Sequence, residues 1–355
     1  ISMKNIGSRI VENRVLFLLV LFLILFGVFA FSVKGFFTFY NLTNMTQCGV
    51  ELGLLALAEM LVILSGGAGI DLSVGSMLTI VAMIIGVLIG RAGFNPSLAI
   101  IIGLITGSAM GYANGFLVAY PKIPPFIVTL ASLYVYKSLA MIISVDPRFG
   151  PNPMPVSNFP DSFYFIGQHR IGGLPFQVLF IFIPVILILM FLMNRTVFGR
   201  HLYGVGSNET AAIFSGINVK KIRVIVYTLS GLLSALAGWV ITSRIASARP
   251  DIGTGYELQA ITIAVLGGVS IKGGEGTVGG VVLSIAIITM LYNGMQLAGI
   301  HQIWQLGSLG LVLVIFDCIR LSQSRSALLG VLAVIAILIL KSVKNKKLAI
   351  IFAVI

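Results

Sequence analysis

Glu59, Asp71, Ser73, Asn114, Lys137 and Asn293 are polar or ionisable side chains set in or beside apolar runs of this chain. A charge at membrane depth costs at least about 2.5 kcal/mol unless it is paired or hydrated. The chemistry these six share is hydrogen bonding: carboxylates accept, an ammonium donates, hydroxyls and amides do both. That suits the lining of a route for a polar solute. Asp71, in Gly69-Ile70-Asp71-Leu72-Ser73, also suits a helix start, where its carboxylate or the Ser73 hydroxyl accepts from free N–H groups. Glu59 and Lys137 lie deep in separate segments. A Glu59–Lys137 pair, or one with Asp71, competes with separate hydrogen bonding to carbonyls and waters. Glu51 sits near the end of its segment, from which it can snorkel outward.

Other chemistries find no residues. No nucleophile stands beside a base, so no catalytic residue is expected. Lys272 is followed by Gly273-Gly274-Glu275-Gly276 rather than Ser or Thr, and no GxxxxGK[ST] occurs, so the chain has no phosphate loop for ATP. His169, His201 and His301 are scattered outside the apolar segments, and a metal site is not expected. Cys48 and Cys318 lie in apolar stretches and read as small buried hydrophobes rather than as a disulfide or metal ligands.

The elements that position these groups follow from composition. Of 355 residues, 58% are hydrophobic and only 10% charged, against about 25% charged in a soluble domain; mean hydropathy is +1.07. This is an all-α, polytopic membrane protein, since runs such as Val15–Val33 and Phe176–Met193 approach the ~20 residues that span a bilayer and no alternating β-barrel pattern is visible. About ten spans are expected, at 15–33, 46–65, 73–90, 97–119, 125–144, 176–193, 224–243, 257–269, 277–293 and 303–319. Ile1-Ser2 reads as a remnant ahead of Met3, and the first run as a retained helix rather than a signal peptide. With the N-terminus inside, twelve Lys and Arg fall on the inner side and six on the outer. This bias supports that orientation and explains the net charge of +12 without invoking nucleic acid.

Two glycine-rich breaks, Leu64–Ile80 (LSGGAGIDLSVGSMLTI) and Leu266–Gly280 (LGGVSIKGGEGTVGG), interrupt apolar segments in opposite halves. Irregular backbone in lipid is tolerated only where it is buried in protein or lines a wet cavity, so paired breaks imply a central pathway. Gly103, Gly107, Gly111 and Asn114-Gly115 echo the stretch from Gly280 to Asn293-Gly294, as in an internal pseudo-repeat. The proline-rich loop Val145–Leu174 should be a semi-rigid outer cap rather than a helix. The basic inner loop Asn194–Arg223 should hold a short helix at Ser207–Ile217, capped by Asn208, favoured by Glu209 and ended by Gly216. That is a docking element. Residues 1–320 form the membrane domain. The 321–355 extension, with apolar Ala327–Leu340 and Lys341, Lys344, Lys346 and Lys347, is interfacial or an extra membrane segment.

GIDLSVGS (69–76), Pro124-Pro125-Phe126-Ile127-Val128-Thr129-Leu130, GRHLYGVGSNETAAIFSGINVKKIR (199–223), GTGYELQAI (253–261) and LGGVSIKGGEGTVGG (266–280) resemble, in order, the bacterial sugar-type ABC importer permeases of the inner membrane. The resemblance covers roughly 10–320; the stretch after Arg325 extends past the usual end. It implies a coupling helix formed by Asn208, Glu209, Thr210, Ala211, Ala212 and Gly216, which seats in a separate ATPase that carries ATP and Mg. It also implies an extracytoplasmic substrate-binding protein, for which Val145–Leu174 and the loop with Arg244, Arg249 and Asp251 are docking candidates, and a second permease copy or homologous permease. The expected mechanism is alternating access for a monosaccharide or related solute. An ion-coupled secondary transporter, with Glu59 and Asp71 binding the ion, is the alternative. A membrane scaffold leaves the breaks unexplained.

Overall fold

The computed structural model describes residues 14–301, together with Gly307 and Gly310. The described helices are α1 (Arg14–Ser32), α2 (Phe39–Leu64), α3 (Val74–Gly90), α4 (Pro96–Ala119), α5 (Pro125–Ser144), α6 (Asp161–Gln168), α7 (Ile183–Arg195), α8 (Val197–Ser207), α9 (Glu209–Phe214), α10 (Val219–Ile245), α11 (Tyr256–Leu266) and α12 (Val278–Leu297). A two-residue hairpin, β1 (Arg170–Ile171) with β2 (Leu174–Pro175), follows α6, and a π-helical turn at Val178–Phe182 leads into α7.

Seven helical segments are long and apolar enough to cross a membrane, namely Val15–Ser32, Phe39–Leu64, Pro96–Ala119, Pro125–Ser144, Val178–Arg195, Val219–Ile245 and Val278–Leu297. Two further segments expected to span are shorter, α3 with 17 residues and α11 with 11. In each the apolar run is cut by a glycine-bearing turn before it reaches full span length. The tenth expected segment, 303–319, and the 321–355 extension lie outside the described residues.

The chain divides into two compact units, residues 47–282 and residues 1–46 with 283–355. In the larger unit α4 and α10 pack backbone to backbone. A Cβ on Gly111 would strike the Tyr227 carbonyl oxygen, and one on Gly231 the Gly107 carbonyl oxygen. Small residues permit this approach, and in lipid close packing is what holds helices together. Gly103 and Gly107 also seat against Ile85 and Val81 of α3. In the smaller unit the Phe29 ring lies against Gly294 and stacks on Phe36 at 5.4 Å, while Asn41 and Asn293 exchange side-chain hydrogen bonds of 2.9 and 3.0 Å.

The expected cap without a helix is corrected. Asp161 in the first turn after Pro160 starts α6, and the Gly172-Gly173 turn closes the hairpin, so Val145–Leu174 is largely ordered by local structure. Val156 and Ala248 exchange backbone hydrogen bonds of 2.8 Å, which tie the loop to the segment after α10. Arg91 donates to the Val145 and Ser144 carbonyls at 3.0 and 2.7 Å. Cys48 is exposed, against expectation, because its position on α2 faces outward between buried Gln47 and Val50. Cys318 lies outside the described residues.

Replacing Gly231 with Leu should cost about 1–3 kcal/mol or more by overpacking, read as an earlier thermal unfolding midpoint in detergent, whereas Gly279→Leu, which meets open space, should not. The Arg148 side-chain and backbone hydrogen bonds, with Arg91 nearby, hold the Asp146 carboxyl well below its ordinary 3.8, at about 2. Its stabilising contribution is complete above 3.8 and is lost as pH falls from there through about 2. Limited proteolysis of 145–175 should therefore accelerate over that acidic window in the wild type. In Asp146→Asn it should be fast already at neutral pH.

Candidate functional site

Seven polar side chains of the larger unit, among them Asp71, Ser73 and Asn114, meet in one buried hydrogen-bonded chain. After α2 the backbone turns through Gly66 (φ +71), Gly67 (φ +62) and Ala68 (φ +55), conformations that only glycine adopts without strain. This turn delivers Asp71 and Ser73 to the start of α3. Asp71 Oδ1 accepts from the Ser73 amide at 3.0 Å and the Ser73 hydroxyl at 2.6 Å, and its Oδ2 accepts from Ser230 of α10 at 3.0 Å. Ser73 Oγ accepts from Asn114 Nδ2 at 2.9 Å. Asn114 Oδ1 in turn accepts from Ser132 at 2.6 Å and Tyr136 at 3.1 Å, both on α5. Glu59 Oε2 accepts from the Asp71 amide at 3.4 Å, while Glu59 Oε1 and the Tyr227 hydroxyl, both buried, meet no partner among the described residues.

Sequence reasoning anticipated Asp71, Ser73 and Asn114, and the structure joins them. It expected the Asp71 carboxylate or the Ser73 hydroxyl to accept from N–H groups at the helix start; the carboxylate accepts from the Ser73 amide, while the Ser73 hydroxyl makes no cap bond and is spent between Asp71 and Asn114. Asn293 belongs to the other unit, where its partner is Asn41. Glu59 and Lys137 form no ion pair within 4.0 Å, nor do Lys137 and Asp71. Lys137 instead lines a recess with Glu257. Glu51 does not snorkel: it is buried and paired with Arg244 at 2.7 Å, so Arg244 is turned inward rather than presented for docking. Arg249 and Asp251 are an exposed pair at 3.1 Å, each more than half accessible.

A second cluster gathers around α8 and α9. The Asn208 side chain caps α9 by accepting from the Ala211 amide at 2.9 Å, and Gly216 (φ +78) follows its end. Ala212 is buried, whereas Ile213 and Phe214 are exposed, Phe214 by 87%. Glu209 is forked to Arg223 at the start of α10, with bonds of 3.2 and 2.5 Å. The Arg223 guanidinium lies against Gly67, where a Cβ would come within 2.7 Å of Nη2. Just before α9, Gly206 fills a backbone seam. A Cβ there would strike the Leu64 carbonyl oxygen and come within 2.5 Å of the Gly274 amide, which itself donates to Leu64 O at 3.1 Å. Tyr203 Oη donates to the Gly276 carbonyl at 2.8 Å. The segment leading into α9 thus touches both glycine-rich turns. Ser132, Tyr136, Ser230, Gly206 and Arg223 were not singled out from sequence. The hydroxyls are common on apolar helices, and Glu209 and Arg223 lie on two different helices whose approach no local spacing reveals.

The described residues contain no cluster of His, Cys, Asp or Glu able to hold a metal. What the geometry offers is polar solvation inside an apolar scaffold and an exposed apolar helix tied to its turns. The family described as branched-chain amino acid transport system / permease component matches residues 41–317. The fructose import permease of Rhizobium meliloti is 36% identical over 304 residues, covering 84% of this chain and 82% of that protein. The ribose import permease of Bacillus subtilis is 38% identical over 288 residues, 81% and 86% of the two chains. The D-allose transport system permease of Escherichia coli is 35% identical over 295 residues, 83% and 86%. No solved structure matches the chain. These relatives are permeases and not enzymes, and seven apolar segments agree with a multi-pass membrane protein. The chain belongs to the permease components of bacterial ABC sugar importers.

Proposed function

We propose that this chain is the membrane subunit of an importer that moves a monosaccharide or related small polar solute by alternating access, driven by ATP hydrolysis on a separate chain. The observation that carries the reading is α9. A six-residue helix capped by Asn208 presents Ile213 and Phe214 to its surroundings while Glu209 and the preceding Gly206 hold it to both glycine-rich turns. An exposed apolar tip on a rigid mount suits a groove in a partner. The ATPase, binding ATP and Mg, grips α9 through Ile213 and Phe214. Closure of its nucleotide sites moves α9, and the seam passes that movement to the turns that border Asp71 and Gly274.

In this reading the N-terminus is cytoplasmic, the membrane domain crosses about ten times, and the two glycine-rich turns are broken helices beside the pathway. Asp71, Ser73 and Asn114 border the route with their hydroxyl and amide neighbours. An extracytoplasmic binding protein releases its ligand onto the face made by Val145–Leu174, Arg249 and Asp251. A second permease copy, or a homologous permease, completes the pathway. The relatives' sugars give the substrate class, because a route lined by hydroxyl and amide groups exchanges hydrogen bonds with a polyol and lets it go.

The test is stimulation of the partner ATPase, measured in proteoliposomes with binding protein and ligand. Glu209→Arg should leave membrane insertion intact and drop ATPase activity to the unstimulated level. Arg223→Lys keeps the charge without the planar fork and should lower stimulation part-way. Full stimulation in Glu209→Arg, or uptake driven by a proton gradient with this chain alone, would refute the reading.

A further inference from the structure

We propose that a recess bordered by α3, α5 and the start of α11 is a binding station for two neighbouring hydroxyls of a polyol such as a monosaccharide ring. Glycine contacts build it. A Cβ on Gly75 would strike the Gly253 carbonyl oxygen, and one on Gly253 the Gly75 carbonyl oxygen, so these two backbones touch. Thr79 locks the contact by donating to Gly75 O at 2.8 Å and accepting from the Gly253 amide at 3.0 Å. Glu257 is set in the same step. Its Oε1 accepts from the Gly255 amide at 3.2 Å, and its Oε2 lies over Gly75, where a Cβ would come within 2.5 Å of it.

Lys137 of α5 borders the same recess as Glu257, with Ser76, Thr79 and Thr254 completing the polar wall. No ion pair within 4.0 Å joins Lys137 to Glu257 or to any other described carboxylate. A lysine and a glutamate thus border one opening without closing on each other. The opening has about 30 Å³ of space, enough for about two waters, or for the two hydroxyl oxygens of a diol whose carbons stay at the mouth. A carboxylate accepts from both hydroxyls of a diol, and an ammonium donates to their oxygens. One carboxylate, one ammonium and a few hydroxyls bind weakly, as a passing station must.

The same two charges would also face a zwitterionic amino acid. The rest of the wall argues against it: a branched aliphatic side chain needs apolar contact, and Leu133 and Pro250 are the apolar side chains bordering the recess. Hydroxyls and backbone make up the remainder.

This inference rests on the transport reading for its meaning, but its test needs only the purified full-length chain in detergent. Saturation-transfer NMR is recorded with D-ribose, D-fructose and L-leucine, each at millimolar concentration. Transfer to the protons of at least one sugar is expected, lost in Lys137→Met and Glu257→Gln, and retained in exposed Lys34→Gln. Glu257→Asp, which keeps a carboxylate on a shorter arm, should retain part of it, and matched thermal melting checks that each variant is folded. Transfer to leucine instead of sugar, sugar transfer that survives both Lys137→Met and Glu257→Gln, or no sugar transfer in the wild type would each overturn the proposal. None of these results depends on whether an ATPase is stimulated, so this proposal and the transport reading fail separately.

Discussion

A backbone amide or carbonyl buried without a partner loses its hydrogen bonds to water and gains nothing in return. The irregular segment between α2 and α3 exists because that account is closed locally. The Ser65 and Gly66 amides still donate back into α2, Leu64 O receives the Gly274 amide, Ile70 O receives the Thr129 hydroxyl, and the Asp71 and Ser73 amides are met by Glu59 and Asp71 carboxylates. Partners from distant parts of the chain are thereby fixed to one place. The helices cannot be arranged differently without leaving some of these groups bare.

The same residues also join several helices. Asp71 orders the start of α3 and at the same time joins α3 to α10 through Ser230. Asn114 connects α4 to α3 and α5 in a single amide. A chain of hydroxyls and amides thus links four helices. The Arg244–Glu51 pair is different: a buried ion pair of this kind is costly to break by removing one partner, and it anchors α10 to α2 instead of facing a ligand.

Much of this was legible in the residues. Apolar length located the long helices, and Asn208, Glu209 and Gly216 located α9, because caps and stops act within a few residues. The missed features are those set by approach between distant segments. Nothing local distinguishes Gly206 from a loop glycine, and its meaning lies in Leu64 O and Gly274. Lys137 was matched by depth to Glu59, yet helix rotation turns it to the recess it shares with Glu257. Arg244 looked like a surface charge at a helix end, and only the position of α2 reveals its carboxylate. Residue type and spacing tell what a side chain can do, and the crossing of helices decides which partner it meets.

The seam at Gly206 has a consequence for how such proteins can be recombined. The atoms opposite it are a carbonyl oxygen of Leu64 and the main chain of Gly274, and main-chain atoms are common to every sequence. The junction demands absent side chains on every side, because a Cβ on Gly66 or Gly273 would meet Gly206 and one on Gly274 would meet Ser207. A 197–218 stretch exchanged between homologous chains would therefore fit only a host that keeps those glycines and an arginine opposite Glu209.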